Sequence, residues 1–130
     1  MDSIDYKICR TQQRLYEYAA KHGYDMEQFS DFFLSSDFCS RAFDTLYSRF
    51  QCDAQFVIMI ANAAGFVGLL YRMLYFITPY TSKELCEKVP YSTVCRFYSC
   101  SPHETENYIA EDICRNLNLD YDPDKVELTV

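Results

Sequence analysis

An all-α fold, a compact bundle of about six or seven helices around one central apolar helix, is predicted by three features of the sequence. Apolar residues recur at helical spacing in most segments, and helix-capping residues precede those segments. A long apolar run, Phe56 to Ile77, divides the chain, and it reads as a helix covered by the others. The 130 residues are 49% hydrophobic and 17% aromatic, enough apolar surface for the core of one domain spanning 1–130.

The elements follow in order. Ser3 is placed to cap a first helix ending near His22, in which Ile4, Ile8, Leu15 and Ala19 recur near helical spacing. Gly23 is its natural stop, because a left-handed residue after a helix costs glycine nothing. Asp25 caps a short second helix with Met26, Phe29 and Phe33 on one face. Ser36 or Asp37 opens a third, where Cys39, Phe43, Leu46 and Phe50 share a stripe. These helices make up residues 1–53. Residues 54–122 hold the central helix, which Pro79 ends, and a helix-turn-helix-like part. There Thr81 and Glu84 form a capping box, Pro90 follows, and a short helix spans Ser92 to Ser99. Ser101-Pro102-His103-Glu104 is the clearest local start signal, leading into a helix that buries Ile109, Ile113 and Leu117 beside Ala110 and Cys114. The tail, 123–130, departs from the helical pattern: Lys125 to Val130 alternates with period two and is compatible with a short C-terminal strand.

Twelve Lys and Arg stand against 19 Asp and Glu, a formal net charge of −7. That balance opposes a general nucleic-acid coat and a basic face for anionic lipid, since both need surplus cations. The acidity is spread: six cations and nine anions precede Gln55, six and ten follow. Seven scattered cysteines (Cys9, Cys39, Cys52, Cys86, Cys95, Cys100 and Cys114) make a poor disulfide framework, and the first residues are acidic where a secretory leader is basic. The expectation is a reduced, cytoplasmic setting with most thiols buried. Phe56–Ile77 has the length of a membrane span, but Asn62 and Arg72 interrupt it, and a core helix is the preferred reading.

Three constellations bear on chemistry. Cys86, Cys95, Cys100 and His103 are spaced C-x8-C-x4-C-x2-H, close to a CCCH zinc pattern with shortened gaps, and form an alternative metal set; buried helical thiols are the preferred reading, and no cofactor is expected. The only histidines, His22 and His103, have no adjacent nucleophile, and no phosphate loop or HExxH occurs, so an enzyme is not expected. Thr81 to Leu119 resembles phage-repressor-like helix-turn-helix domains. Ser82-Lys83-Glu84-Leu85 is similar to the start of their second helix, Ser92-Thr93-Val94-Cys95-Arg96 to their recognition helix, and Ile113-Cys114 with Leu117-Asn118-Leu119 to their closing pattern. This resemblance implies DNA contacts from Ser92, Thr93 and Arg96. Residues 66–122 hold five cations and eight anions, against what phosphate contacts require.

A second resemblance covers about half of the chain. Phe29–Gln51, FSDFFLSSDFCSRAFDTLYSRFQ, is similar to a segment of uncharacterised small proteins of gut-associated Firmicutes, as are Tyr71-Arg72, Thr78, Ser82-Lys83-Glu84, Pro90, Tyr98 and His103. The stretch from Cys52 to Gly68 is shorter here than in that group. Their genes lie in toxin–antitoxin-like loci beside predicted ADP-ribosyltransferase-like proteins. The resemblance implies an antitoxin-like, accessory or inhibitory protein that binds a protein partner encoded by a neighbouring gene. The expected contact residues are Tyr71, Arg72, Lys83, Glu84, Tyr98 and His103. Twelve tyrosines suit such a role, because they give large, stiff, half-polar contact surfaces. The alternatives are a helix-turn-helix DNA-binding regulator and an acidic, nucleic-acid-mimicking anti-defence inhibitor.

Overall fold

The structure, a computed structural model, describes residues 1–44 and 63–126. Among them are seven α-helices and no β-strand: α1 (Ser3–Lys21), α2 (Met26–Leu34), α3 (Asp37–Ala42), α4 (Ala63–Ile77), α5 (Ser82–Lys88), α6 (Tyr91–Cys100) and α7 (Glu106–Asn116). A 3-10 turn, Pro123–Lys125, follows. The fold class expected from the sequence is therefore the one observed.

Helix α4 is the axis. It packs against α1, α5, α6, α7 and the 3-10 turn, and Val67, Leu69, Leu70, Met73, Leu74 and Ile77 are buried along it. Neighbours on several sides explain why it is apolar nearly all round. The part of the apolar run before Ala63 lies outside the described residues, and no described helix is long and apolar enough to cross a membrane. Contact with α1 is close because Gly65 and Gly68 face it. A Cβ at Gly68 would meet the Tyr16 ring and come within 2.9 Å of the Gln12 carbonyl, and one at Gly65 would collide with the Glu17 side chain.

Several caps are as expected. Asp25 accepts from the Gln28 N–H at the start of α2, Ser36 from Cys39 N–H at the start of α3, and Thr81 and Glu84 form the reciprocal capping box of α5. Three expectations are corrected. Asp2, not Ser3, caps α1, its carboxylate accepting from Asp5 N–H at 2.8 Å. Ser101-Pro102 does not open α7. The chain turns there, and Thr105 caps the helix four residues later, leaving Leu117 at the C-cap. The strand expected in the tail is not formed by Lys125, which closes the 3-10 turn; residues 127–130 lie outside the described residues, as do Leu46 and Phe50 of the third helix.

The buried stripe of α1 also differs from the apolar pattern. Ile4 is exposed, while Ile8, Cys9, Gln12, Tyr16 and Ala19 are buried. Gln12 sits in that stripe because of Arg72, which is 0% exposed in the middle of the core. Arg72 Nε donates to Gln12 Oε1 at 2.6 Å. Its Nη1 donates to Asp44 Oδ1 at 2.8 Å and to the Phe43 carbonyl at 3.2 Å, and its Nη2 to Ser82 Oγ at 2.9 Å and Cys39 Sγ at 3.3 Å. All five guanidinium N–H bonds thus have acceptors. Asp44 in turn accepts from the Ser82 N–H at 2.8 Å and from its hydroxyl at 2.5 Å. Phe43 and Tyr75 rings cover the guanidinium at 5.3 and 4.7 Å.

Removing one partner of such a pair leaves the other charge buried and uncompensated. Arg72→Ala should therefore destabilise the fold by about 3–5 kcal/mol in urea denaturation. Arg72→Lys should recover only part of that loss, because an ammonium cannot reproduce the planar fork; full recovery would show the fork to be dispensable. A second prediction concerns Glu17, 4% exposed, with Oε2 unpaired. Burial raises its pKa above the usual 4.5, against the opposing effects of Arg10, the Gln13 side chain and Arg14. A carboxyl that holds its proton more tightly in the folded chain stabilises the fold at low pH, and the contribution is lost as pH rises through its folded-state value. Denaturation of wild type and Glu17→Gln across pH 4.5–8 should show the wild type losing stability relative to the variant as pH rises; parallel curves would contradict this.

Candidate functional site

Of the six residues that the sequence nominated as partner contacts, two are buried and four are exposed or half-buried. Tyr71 and Arg72 are corrected outright: they are 1% and 0% exposed, so neither reaches a partner. Tyr71 instead donates its hydroxyl to the Val89 carbonyl at 2.6 Å and fixes the end of α5, and its pKa is pushed up by burial. Lys83 and Glu84 are exposed on the first turn of α5, where Glu84 serves the capping box, which holds its carboxyl below the usual range. Tyr98 is half-buried with its ring 4.8 Å from Phe66, and His103 is exposed in the loop before α7.

The alternative sets fare differently. Cys86, Cys95, Cys100 and His103 do not form a metal site, since among the described residues no group of three or more His, Cys, Asp or Glu side chains could hold an ion. The reason is their placement on different turns: Cys86 on α5 lies 3.5 Å from Asp31 on α2, Cys95 is half-buried on α6, and Cys100 is exposed at its end. Ser92 and Arg96 are exposed on α6, Thr93 partly so. Helix α5 packs mainly on α2 and α4, and α6 on α4, α7 and α2. Arg96 leans on the ring of Phe97 and Lys88 on that of Tyr80, at 5.6 and 4.8 Å.

A feature that the sequence reading passed over stands out between α1 and α2. Helix α1 ends in a Schellman motif: Tyr24 N–H donates to the Ala19 carbonyl at 3.2 Å and Gly23 N–H to that of Ala20 at 3.1 Å, with Gly23 at φ +81°. Any residue with a Cβ would be strained there, so glycine lets the chain double back within a few residues. Asp25 then starts α2, and the two helices run side by side. Leu15, Tyr18 and Ala19 from α1, the N-cap Asp25 with Gln28, Phe29 and Phe32 of α2, and Tyr24 in the turn line a groove of about 620 Å³. On α2 these are positions i, i+3, i+4 and i+7, one face of a helix.

Its floor is firmly built. Phe29 meets Tyr16 edge-on at 5.2 Å and lies parallel to Phe33 at 6.1 Å. The buried Tyr16 hydroxyl is paired with Ser30 Oγ at 2.7 Å. Its rim is open: Phe32 is 78% exposed, Tyr24 62% and Tyr18 49%. The sequence did hold a signal. On α2 the stripe Met26, Phe29, Phe33 leaves Phe32 about 100° away from Phe33, and an aromatic off the buried face has to be exposed or partnered.

Comparison with protein-family models, with curated proteins and with solved structures finds no match.

The six described cysteines are all free. Burial raises the pKa of Cys9, Cys39, Cys86, Cys95 and Cys114, the last to about 12, whereas Cys100 is exposed. Thiolate is the reactive form. Alkylation of the native chain with peptide mapping should therefore label Cys100 first among these six and leave Cys9, Cys39 and Cys114 unlabelled until the chain unfolds. Equal labelling of Cys39 and Cys100 would contradict the burial described.

Proposed function

We propose that this chain is a non-enzymatic protein-interaction module, antitoxin-like or accessory and inhibitory in action, that takes a protein partner in the groove between α1 and α2. The observation that carries this reading is the exposure of Phe32, Tyr24 and Tyr18 around one groove in whose lining, among the described residues, Asp25 is the single charged side chain. A large exposed aromatic side chain is costly to leave in water, and contiguous apolar patches on soluble domains mark contact surfaces. Tyrosine and phenylalanine are also the kinds of side chain that anchor interfaces. The exposed rim favours a macromolecule over a small molecule, because small ligands sit in pockets that enclose most of their surface. The resemblance to proteins of toxin–antitoxin-like loci adds the kind of partner, the product of an adjacent gene. The reading assigns no reaction to the chain.

The test is co-expression with the product of the neighbouring gene. The two proteins should co-elute, and Phe32→Asp should weaken the complex by at least about tenfold, the usual cost of losing an aromatic anchor. Phe32 is on the surface, so thermal stability should be unchanged within about 0.5 kcal/mol. Separate elution of the wild-type pair at micromolar concentration, or a complex indifferent to Phe32→Asp, would count against the groove.

A further inference from the structure

We infer that the occupant of the α1–α2 groove is a short amphipathic helix of a partner protein, carrying a lysine or arginine set against Asp25. The inference rests on the reading of the groove as a protein-docking surface and adds the chemistry of what docks. Both walls are helices whose backbone donors and acceptors are used internally, so the groove has no strand edge on which an extended peptide could add main-chain hydrogen bonds. What the walls offer instead is a helical repeat of side chains. Leu15, Tyr18 and Ala19 stand at i, i+3 and i+4, opposite Asp25, Gln28, Phe29 and Phe32 at i, i+3, i+4 and i+7. Ridges and grooves at that spacing are complementary to those of a third helix. The nine residues of α2 measure about 13 Å, which a partner helix of two to three turns spans.

Charge sets the polar part of the occupant. Asp25 is the single carboxylate among the described lining residues; it is exposed, and its Oδ1 accepts the Gln28 N–H at 3.0 Å. A cation on the occupant gains an ion pair at this end of the groove, and a carboxylate is repelled. The net charge of −7 draws in a basic segment from further away. Phe29, in the lining, and Phe33 lie parallel, and the exposed Phe32 can enter a groove between ridges of the incoming helix.

The experiment is selection from an unbiased peptide-display library on the wild-type chain, with Phe32→Asp and Asp25→Asn chains as counter-targets. Asparagine caps a helix about as well as aspartate, so the second variant removes charge and keeps α2. The expected winners carry large apolar residues at i, i+3 or i+4, and i+7 with a Lys or Arg beside them. A resynthesised winner should gain helical circular dichroism on binding, bind Phe32→Asp at least about tenfold more weakly, and lose part of its salt dependence on Asp25→Asn. Proline-rich or acidic winners, winners that bind Phe32→Asp equally, or no enrichment at all would overturn the inference. If those results come while Phe32→Asp still breaks the complex with the neighbouring gene product, the docking reading stands and the helical occupant falls. If the complex is also indifferent to Phe32→Asp, both fall.

Discussion

A guanidinium with no access to water sits at the centre of this molecule, and the arrangement of the surrounding helices answers to it. Burying a charge costs several kcal/mol unless every donor is met and an opposite charge lies close. Arg72 enters from α4, and its acceptors come from three other places: Gln12 of α1, Cys39 with Phe43 and Asp44 at and after α3, and Ser82 of α5. A small rotation of any of these would leave an N–H unpaired in a medium where that is expensive. Asp44 is doubly used, since it also accepts the first N–H of α5, one of the orphan donors at a helix start. The network therefore fixes position more than it adds stability. A hydrophobic replacement of the whole set could be as stable, but it would carry no such instruction about register.

That constraint explains which parts of the fold could be read from the sequence. Helices α2, α3 and α5 were legible because their starts are local: Asp25, Ser36 and the Thr81–Glu84 pair satisfy orphan donors within one turn. Gly23 was legible for the same reason, its left-handed φ being set by the turn itself. Ser101-Pro102 misled because a good local signal competes with tertiary packing. Ile109, Ala110, Ile113 and Cys114 have to meet the core, and Thr105 offers a cap at the matching register. The stripe of α1 was misread because periodicity counts apolar residues, and Gln12 is buried for a reason that lies 60 positions away.

The surface was less legible than the core. Tyr71 and Arg72 were expected as contact residues because they lie in the family-like segment, yet their side chains serve a buried network: a hydroxyl for the Val89 carbonyl and a fork for five acceptors. Exposure depends on which neighbours cover a residue, and a sequence does not list neighbours. Phe32 shows the converse. It is adjacent to Phe33, which is 6% exposed, and only the one-residue step around α2 separates a core side chain from the most exposed aromatic of the described residues.

The core and the groove are mechanically linked, and this bears on why the exposed aromatics stay exposed. Here α1 is held from below by Gln12 on Arg72 and by Tyr16 against Gly68, so it cannot roll towards α2 without breaking the network. Helix α2 is held by the Tyr16–Ser30 hydrogen bond and by Phe33, which lies edge-on to Phe43, itself stacked on the guanidinium. Both walls are thus anchored to the same buried charge. Under the docking proposed above, a groove braced in this way would lose little conformational entropy when filled, and more of the contact free energy of each rim aromatic would remain as affinity. The desolvated arginine and the solvated phenylalanine are two ends of one arrangement: the contacts that meet the buried guanidinium also hold the two helices between which the exposed ring stands.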